Sequence, residues 1–251
     1  IHVQGDDNIF VGFHTTGSFG GNENDVCIFV SGSRNQFLGL SADSDTLSTR
    51  NKKYLRVIGK GNTFNNVETF NMGQIDVAGE ENTFENVFFQ NSNVTPLLIT
   101  GNSNQFYNVN VDLNAPFSTS DNVRGDFTWA LTVGTNDSDG SAPIINVIGD
   151  DNLISRGRVT DAGAQDAVIR TSGSRNTVRD FVFEPDSQGT SACNGIIDAG
   201  SDNNFDNNTF IAVAKNGIYL NNANTCGLIT KNTFLPTSVG RASGTWAAIR
   251  L

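Results

Sequence analysis

The chain has 251 residues, 37% hydrophobic and 17% charged, against usual values of about 45–50% and about 25%; small polar residues fill the difference, with 33 Asn and 26 Gly. Eighteen Phe, spread from Phe10 to Phe234, supply apolar mass for a core and exclude a disordered chain. A net charge of −10 argues against a nucleic-acid partner, which needs clustered Lys and Arg, and no run approaches the roughly 18 consecutive apolar residues of a membrane insertion.

In chain order, Ile1 to Gly5 read as the inside of a strand rather than a leader, and Ala247 to Leu251 stop in mid-strand. These ends give the expectation of a fragment cut from a longer chain on both sides. Between them the motif G-x-x-N recurs at Gly5–Asn8, Gly32–Asn35, Gly59–Asn62, Gly79–Asn82, Gly101–Asn104, Gly149–Asn152, Gly173–Asn176 and Gly200–Asn203, and Asn221 to Asn224 continue it without the Gly. Successive Asn are 27, 27, 20, 22, 48, 24, 27 and 21 residues apart. The 48 reads as two turns, one of which has lost the motif near Gly125.

Apolar positions keep step with that Asn. Two residues after it stand Phe10, Phe37, Phe64, Phe84, Phe106, Ile154, Val178, Phe205 and Cys226; five after it stand Phe13, Leu40, Val67, Val87, Val109, Phe181 and Ile229. Ahead of the Gly lie alternating pairs, Ile28/Val30, Leu55/Val57, Ile75/Val77, Leu97/Ile99 and Ile145/Val147. A period of two predicts short strands, not helices. Each repeat therefore reads as a strand, a tight Gly/Asn turn, a very short strand, a second bend, a third strand and a connection of variable length. Asn66, Asn86, Asn108 and Asn207 fall at the second bend, where a left-handed backbone that Asn tolerates would turn the corner. Stacked coils would align the Asn in ladders and the Phe in an internal column.

With these repeats the chain resembles the right-handed parallel β-helices of the pectate-lyase-like superfamily, whose coils carry three parallel strands, an Asn-bearing bend and internal aliphatic and aromatic stacks. The resemblance implies an all-β, single-stranded parallel solenoid of about ten coils, with residues 1–251 forming one domain. The right-handed sense comes from the resemblance and from the crossover rule for parallel strands.

The chemistry known in that superfamily is not matched by motif. Asp6-Asp7 and Asp150-Asp151 sit in repeat turns, Thr135-Asn136-Asp137 has the wrong order for N-T-D, and the G-H-G, R-x-K, D-P-H-D-like and W-x-D-H elements are absent. Two histidines, His2 and His14, argue against a histidine metal centre or a Ser-His-Asp triad. Cys27, Cys193 and Cys226 lack the spacing of a disulfide framework or a zinc site. No cofactor is expected. Calcium at Asp137-Ser138-Asp139-Gly140 is the one metal candidate, and it lacks the Glu that closes an EF-hand loop.

What remains resembles phage tailspikes, in which variable loops on a β-helix place carboxylates on its outer face. Long connections at 15–25, 41–53, 112–140, 160–166, 184–194 and 235–246 would wall a groove. The leading catalytic candidates are Asp161, nine residues after Asn152, and Glu184, eight after Asn176, which would leave the third strand at nearly matching positions on adjacent coils. Strands about 4.8 Å apart would then hold two carboxyl groups at glycosidase spacing. Asp166, Asp186, Glu68 and Asp76 are alternates, and Arg158 and Arg170 would bind a carboxylate-bearing sugar or tune a neighbouring acid. For Asp76 the simpler expectation is a surface ion pair with Arg56.

Outward apolar residues Phe29, Phe88, Leu98 and Val182 would be covered by a loop or by other copies in a homotrimer. The expected function is that of a tailspike or tail-fibre protein on the virion tail, binding and in one version cleaving a bacterial surface polysaccharide. An extracellular lyase or glycoside hydrolase, with a glycosidase favoured over a lyase, and a non-catalytic adhesin or rod are the alternatives.

Overall fold

The computed structural model describes residues 1–16, 26–43, 53–70, 74–90, 97–112, 143–160, 167–184, 193–211, 213, 215–221, 227–235 and 247–251. Among them every regular element is a strand and every strand pairing is parallel, so the architecture is an all-β, parallel solenoid-like stack. One sheet has ten strands, running in spatial order from His2–Val3 through Val26–Val30, Lys53–Val57, Gln74–Val77, Leu97–Ile99, Ile145–Val147, Ala167–Thr171, Asn194–Asp198 and Asn216–Leu220 to Ala247–Arg250. The second sheet has thirteen. It begins with five eight-residue strands, Ile9–Thr16, Gln36–Asp43, Thr63–Phe70, Thr83–Gln90 and Gln105–Asp112.

Gln105–Asp112 then faces two short strands at once, Leu153–Ser155 and Arg158–Thr160, and the sheet continues as two tracks. One track runs through Thr177–Arg179 and Asn204–Asp206 to Leu228–Thr230, the other through Val182–Glu184 and Thr209–Ile211 to Thr233–Leu235. The expected short strand, bend and third strand are thus separate only in the later coils.

The corners explain the motif. Among the described residues, all fourteen non-glycine residues of positive φ fall at one of two corners: Asp7, Arg34, Glu81, Ser103, Asp151, Arg175 and Asp202 just before the motif Asn, and Asn66, Asn86, Asn108, Arg156, Asp180, Asn207 and Lys231 at the second bend. The four left-handed Asn expected from sequence have φ of 54–58°. Arg156 and Lys231 hold the same conformation without a local side-chain preference for it, so the coil imposes it there.

The motif Gly serves a different need. A Cβ on Gly79 or Gly101 would fall inside the carbonyl oxygen of the preceding coil's Gly59 or Gly79. That same carbonyl accepts the amide of the following Asn, with Asn82 Nδ2 donating to Gly59 O at 3.0 Å and Asn104 Nδ2 to Gly79 O at 2.9 Å. The Asn oxygen meanwhile accepts a backbone N–H from the coil before: Asn35 N to Asn62 Oδ1 at 2.9 Å, Asn62 N to Asn82 Oδ1 at 2.9 Å, Asn82 N to Asn104 Oδ1 at 3.0 Å. These Asn are fully buried, and burial is tolerated because each polar atom has its partner. A second ladder, Phe181 N to Asn208 Oδ1 and Asn208 N to Asn232 Oδ1, runs through the later coils at the second bend.

Inside, Phe10, Phe37, Phe64, Phe84 and Phe106 stack with centroids 4.5–4.9 Å apart and planes within 9°. This spacing is that of neighbouring strands. A second column, Phe183, Phe210 and Phe234, fills the later coils. The first sheet departs from simple alternation in several strands: Tyr54 with Leu55 and Val168 with Ile169 are consecutive and wholly buried. Gly195 and Gly217 occupy the corresponding inward place, where an added Cβ would collide with the rings of Phe210 and Phe234. Burial raises the pKa of the Tyr54 phenol, whose oxygen has no hydrogen-bond partner among the described residues.

Two sequence expectations are corrected. Leu97 pairs with Ile145 and Gln105 with Leu153, so the coils on either side of the 48-residue interval are direct neighbours and no coil lies between them. Phe205 pairs with Ile229, not Cys226, and Gly227 takes the place opposite Asn203. The insertion there shifts the series by three residues; Cys226 itself lies outside the described residues.

Replacing Asn82 by Ala leaves the Asn62 N–H and the Gly59 carbonyl unpaired, at about 1–3 kcal/mol for each buried group. N82A is therefore expected to lower the unfolding free energy by at least about 2 kcal/mol in chemical denaturation. N65A, on the outer side of the same sheet, is expected to cost less than about 0.5 kcal/mol.

Candidate functional site

Of the sequence candidates, Asp161, Asp166, Asp186 and the Asp137–Asp139 calcium candidate lie outside the described residues, as do nearly all of the long connections. Glu184 ends the strand Val182–Glu184 and forms an ion pair with Arg158 of the adjacent coil. The register sets Thr160 directly opposite Glu184, and Arg158 lies on the same outward side, two residues earlier. Among the described residues, Glu184 thus has a guanidinium, not a second carboxylate, as its neighbour.

Glu68 and Asp76 lie in different sheets. Asp76 is 4% exposed and held by Lys53 Nζ at 2.7 Å and Arg56 Nε at 3.5 Å. The expected Arg56 pair is present, with Lys53 the closer cation, and the carboxylate is buried under them instead of lying on the surface. Removing one partner from a buried charge is costly, so this cluster stabilises the sheet face.

The first corner carries an exposed charge column. Arg34 donates from Nε and its guanidinium to both oxygens of Asp7 at 2.7 Å, and Arg175 does the same to Asp151 at 2.8 and 2.7 Å. Lys60 reaches Glu81 at 2.9 Å. These are contacts between residues one coil apart at one corner. The hydrogen bonds from Arg34 and Arg175 hold the carboxyls of Asp7 and Asp151 below their ordinary value.

The outer face of the first sheet carries a concavity. Where two residues in succession turn inward, the residues on either side return to the outer face. Arg170, Ile197, Tyr219 and Arg250 form one outward row by strand register, and Asn194 and Asn216 stand on the other side of the bend. Together with Lys215 and Asn221 they line a groove of about 300 Å³, at the small end of the range of about 300–1,000 Å³ typical of ligand clefts.

Ile197 (4% exposed), Asn194 and Asn216 (each 3%) are sealed beneath the groove, while the Arg250 guanidinium rests 5.2 Å from the centre of the Tyr219 ring. Asn216 Nδ2 donates to Asn194 Oδ1 at 2.8 Å, and Asn216 Oδ1 has no hydrogen-bond partner among the described residues. A buried acceptor in that state costs about 1–3 kcal/mol. Among the described residues, three cations, one aromatic face and three side-chain amides line the space.

Of these residues, the sequence singled out only Arg170. The row is legible in sequence as the position three before each motif Gly, through Arg56, Asp76, Leu98, Asn146, Arg170 and Ile197. The motif then ends, and with it the means of finding Tyr219 and Arg250. Among the described residues no group of three or more His, Cys, Asp or Glu is arranged to hold a metal ion. No protein-family model matches the chain, and no curated protein matches it.

The folded-state pKa values of Asp7 and Asp151 lie below their unfolded values. The stability they contribute is therefore present above the unfolded pKa and is lost as pH falls through the folded one. NMR titration of the side-chain carboxyl carbons is expected to place both midpoints below 3.8, and R34Q and R175Q are each expected to return their partner's midpoint toward that value.

Proposed function

We propose that the chain is the β-helical body of a phage tailspike or tail-fibre receptor-binding protein, which recognises a bacterial surface polysaccharide from the virion tail. In this reading it is a right-handed parallel β-helix of about ten coils, folded as one domain. The observation that carries the reading is the groove beside Tyr219, where side-chain amides and cations surround an aromatic ring on the flank of a rigid parallel stack. Saccharides offer hydroxyls to such amides and the apolar face of a ring to such an aromatic. A rigid sheet holds these groups in place before the ligand arrives, which reduces the ordering cost of binding.

The half-buried outward residues Phe29, Phe88, Leu98 and Val182 support a parallel homotrimer, since three-fold packing would remove the rest of their apolar surface from water. Light scattering is expected to give the trimer mass at micromolar concentration, and a stable monomer overturns that assignment. A glycan array of bacterial O-antigen and capsular polysaccharides is expected to show binding to a subset; binding to none overturns the receptor-binding reading.

A catalytic version is favoured by the carboxylate of Glu184 lying one coil from the strand that leads into Asp161. In it, Asp161 and Glu184 act as acid and as base or nucleophile on a glycosidic bond, with Arg158 positioning Glu184. Reducing-end release from the bound polysaccharide tests it. D161N and E184Q are each expected to lower turnover by about 10²–10⁴-fold with binding nearly unchanged, and full activity in both removes the pair.

A further inference from the structure

We infer that the outer flank of the first two coils, Ile9, Val11 and Leu38 beside Gly12 and Gly39, is a contact surface for a second copy of this chain, which seats its His2–Phe29 pair there. The inference rests on the homotrimer proposed above and names a surface for it. Ile9 and Val11 point outward from the strand Ile9–Thr16 and are 64% and 70% exposed. Leu38, directly opposite Val11 on the next coil, is 41% exposed. By register, Gln36, Asn65, His14 and Ser41 border these three. Contiguous apolar side chains within a polar rim mark protein contacts, whereas single ones are normal.

Gly12 and Gly39 are a second, independent mark. Register places them at the second bend, in the column that Asn66, Asn86 and Asn108 continue. Both glycines are left-handed, with φ of 69° and 76°, but the three Asn hold that conformation at 56–58°, so the bend does not require Gly. Crowding does not require it either. Among the described residues, a Cβ on Gly12 would meet no atom within 4 Å, and one on Gly39 nothing closer than 3.9 Å. Asn at these positions would extend an exposed ladder, in which Asn108 Nδ2 donates to Asn86 Oδ1 at 2.8 Å and Asn86 Nδ2 to Asn66 Oδ1 at 3.2 Å. The chain gives up these side chains on the coils that carry the apolar patch, and a bare backbone there lets another surface approach closely.

The occupant follows from level along the stack. Copies arranged around an axis parallel to the stack meet coil for coil, and a three-fold ring joins two different surfaces of each copy. A second surface lies on the same two coils and on the other sheet, where the half-buried Phe29 ring stacks on His2 with centroids 4.7 Å apart. Between the two surfaces stand Asp7 and Arg34, already paired with each other at 2.7 Å, so a contact at this corner strands neither charge.

Sedimentation velocity on the full chain at micromolar concentration tests this. The G12N/G39N variant is expected to melt at or above the parent temperature, because the same bend accepts Asn in later coils, and yet to associate at least about tenfold more weakly. V11S/L38S is expected to fold and to lose association likewise, whereas K231N, at the same bend near the other end of the stack, is expected to assemble as the parent does. A photo-crosslinking residue in place of Leu38, in mixed light and heavy isotope-labelled protein, is expected to capture a peptide of another copy that contains Phe29. Undiminished association by folded G12N/G39N or V11S/L38S overturns the inference and leaves the trimer to its other outward residues. Cross-links that omit Phe29 overturn the assigned partner surface. A monomeric parent overturns the inference and the trimer together, while the glycan array reads the receptor-binding proposal separately.

Discussion

The constraint on which the rest of this structure depends is the distance between coils. Parallel strands hydrogen-bond at about 4.8 Å, and at that separation the chain must turn corners whose backbone groups face the coils above and below rather than water. The Gly and Asn of the repeat act as one device for this. Gly removes a Cβ that would collide with the carbonyl of the coil before it, and Asn carries both a donor for that carbonyl and an acceptor for a backbone N–H of the same preceding coil. A shorter polar side chain supplies one of these functions, and an aliphatic one supplies neither. Such a ladder makes each coil a template for its neighbour.

The packing follows from the same spacing. Rings that repeat at one position of every coil are brought to 4.5–4.9 Å with nearly parallel planes, an arrangement imposed by the strand separation more than chosen by the rings, which in isolation favour offset or edge contacts. Width is conserved across the core as well. Beside Phe210 and Phe234 the facing strand gives up its side chain at Gly195 and Gly217, whereas the coil of Phe183 has Val168 at that position. The column and the glycines are two halves of one volume requirement.

Because the corners and the interior are fixed by stacking, chemical variety is left to the outer faces. There the chain places exposed Arg–Asp pairs at the first corner, a buried carboxylate under Lys53 and Arg56 on one part of the first sheet, and a groove lined by amides, cations and Tyr219 on another part of that sheet. The corner pairs are solvated and screened, and each links neighbouring coils only weakly. The groove is different in kind, since its floor is closed by buried amides and Ile197 while its rim carries unlike functional groups from four coils.

The sequence by itself determined the strand class, the parallel stacking, the identity of the internal Phe column and the left-handed Asn corners. Each of these depends on residues that recur at a fixed offset from the motif Asn, so local pattern and global packing coincide. Tertiary structure decided what depends on offset between coils. Insertions change that offset without changing the stack: the 48-residue interval adds chain but no coil, and three extra residues move Ile229 into the place expected for Cys226. The inward Tyr54 and the glycines facing Phe210 and Phe234 were hidden because two consecutive residues point inward at a bend, which strict alternation does not allow. The groove was hidden because the motif ends before its last two coils. Arg170, Tyr219 and Arg250 are separated by tens of residues in the chain, and only hydrogen bonding between successive coils brings their side chains into one row.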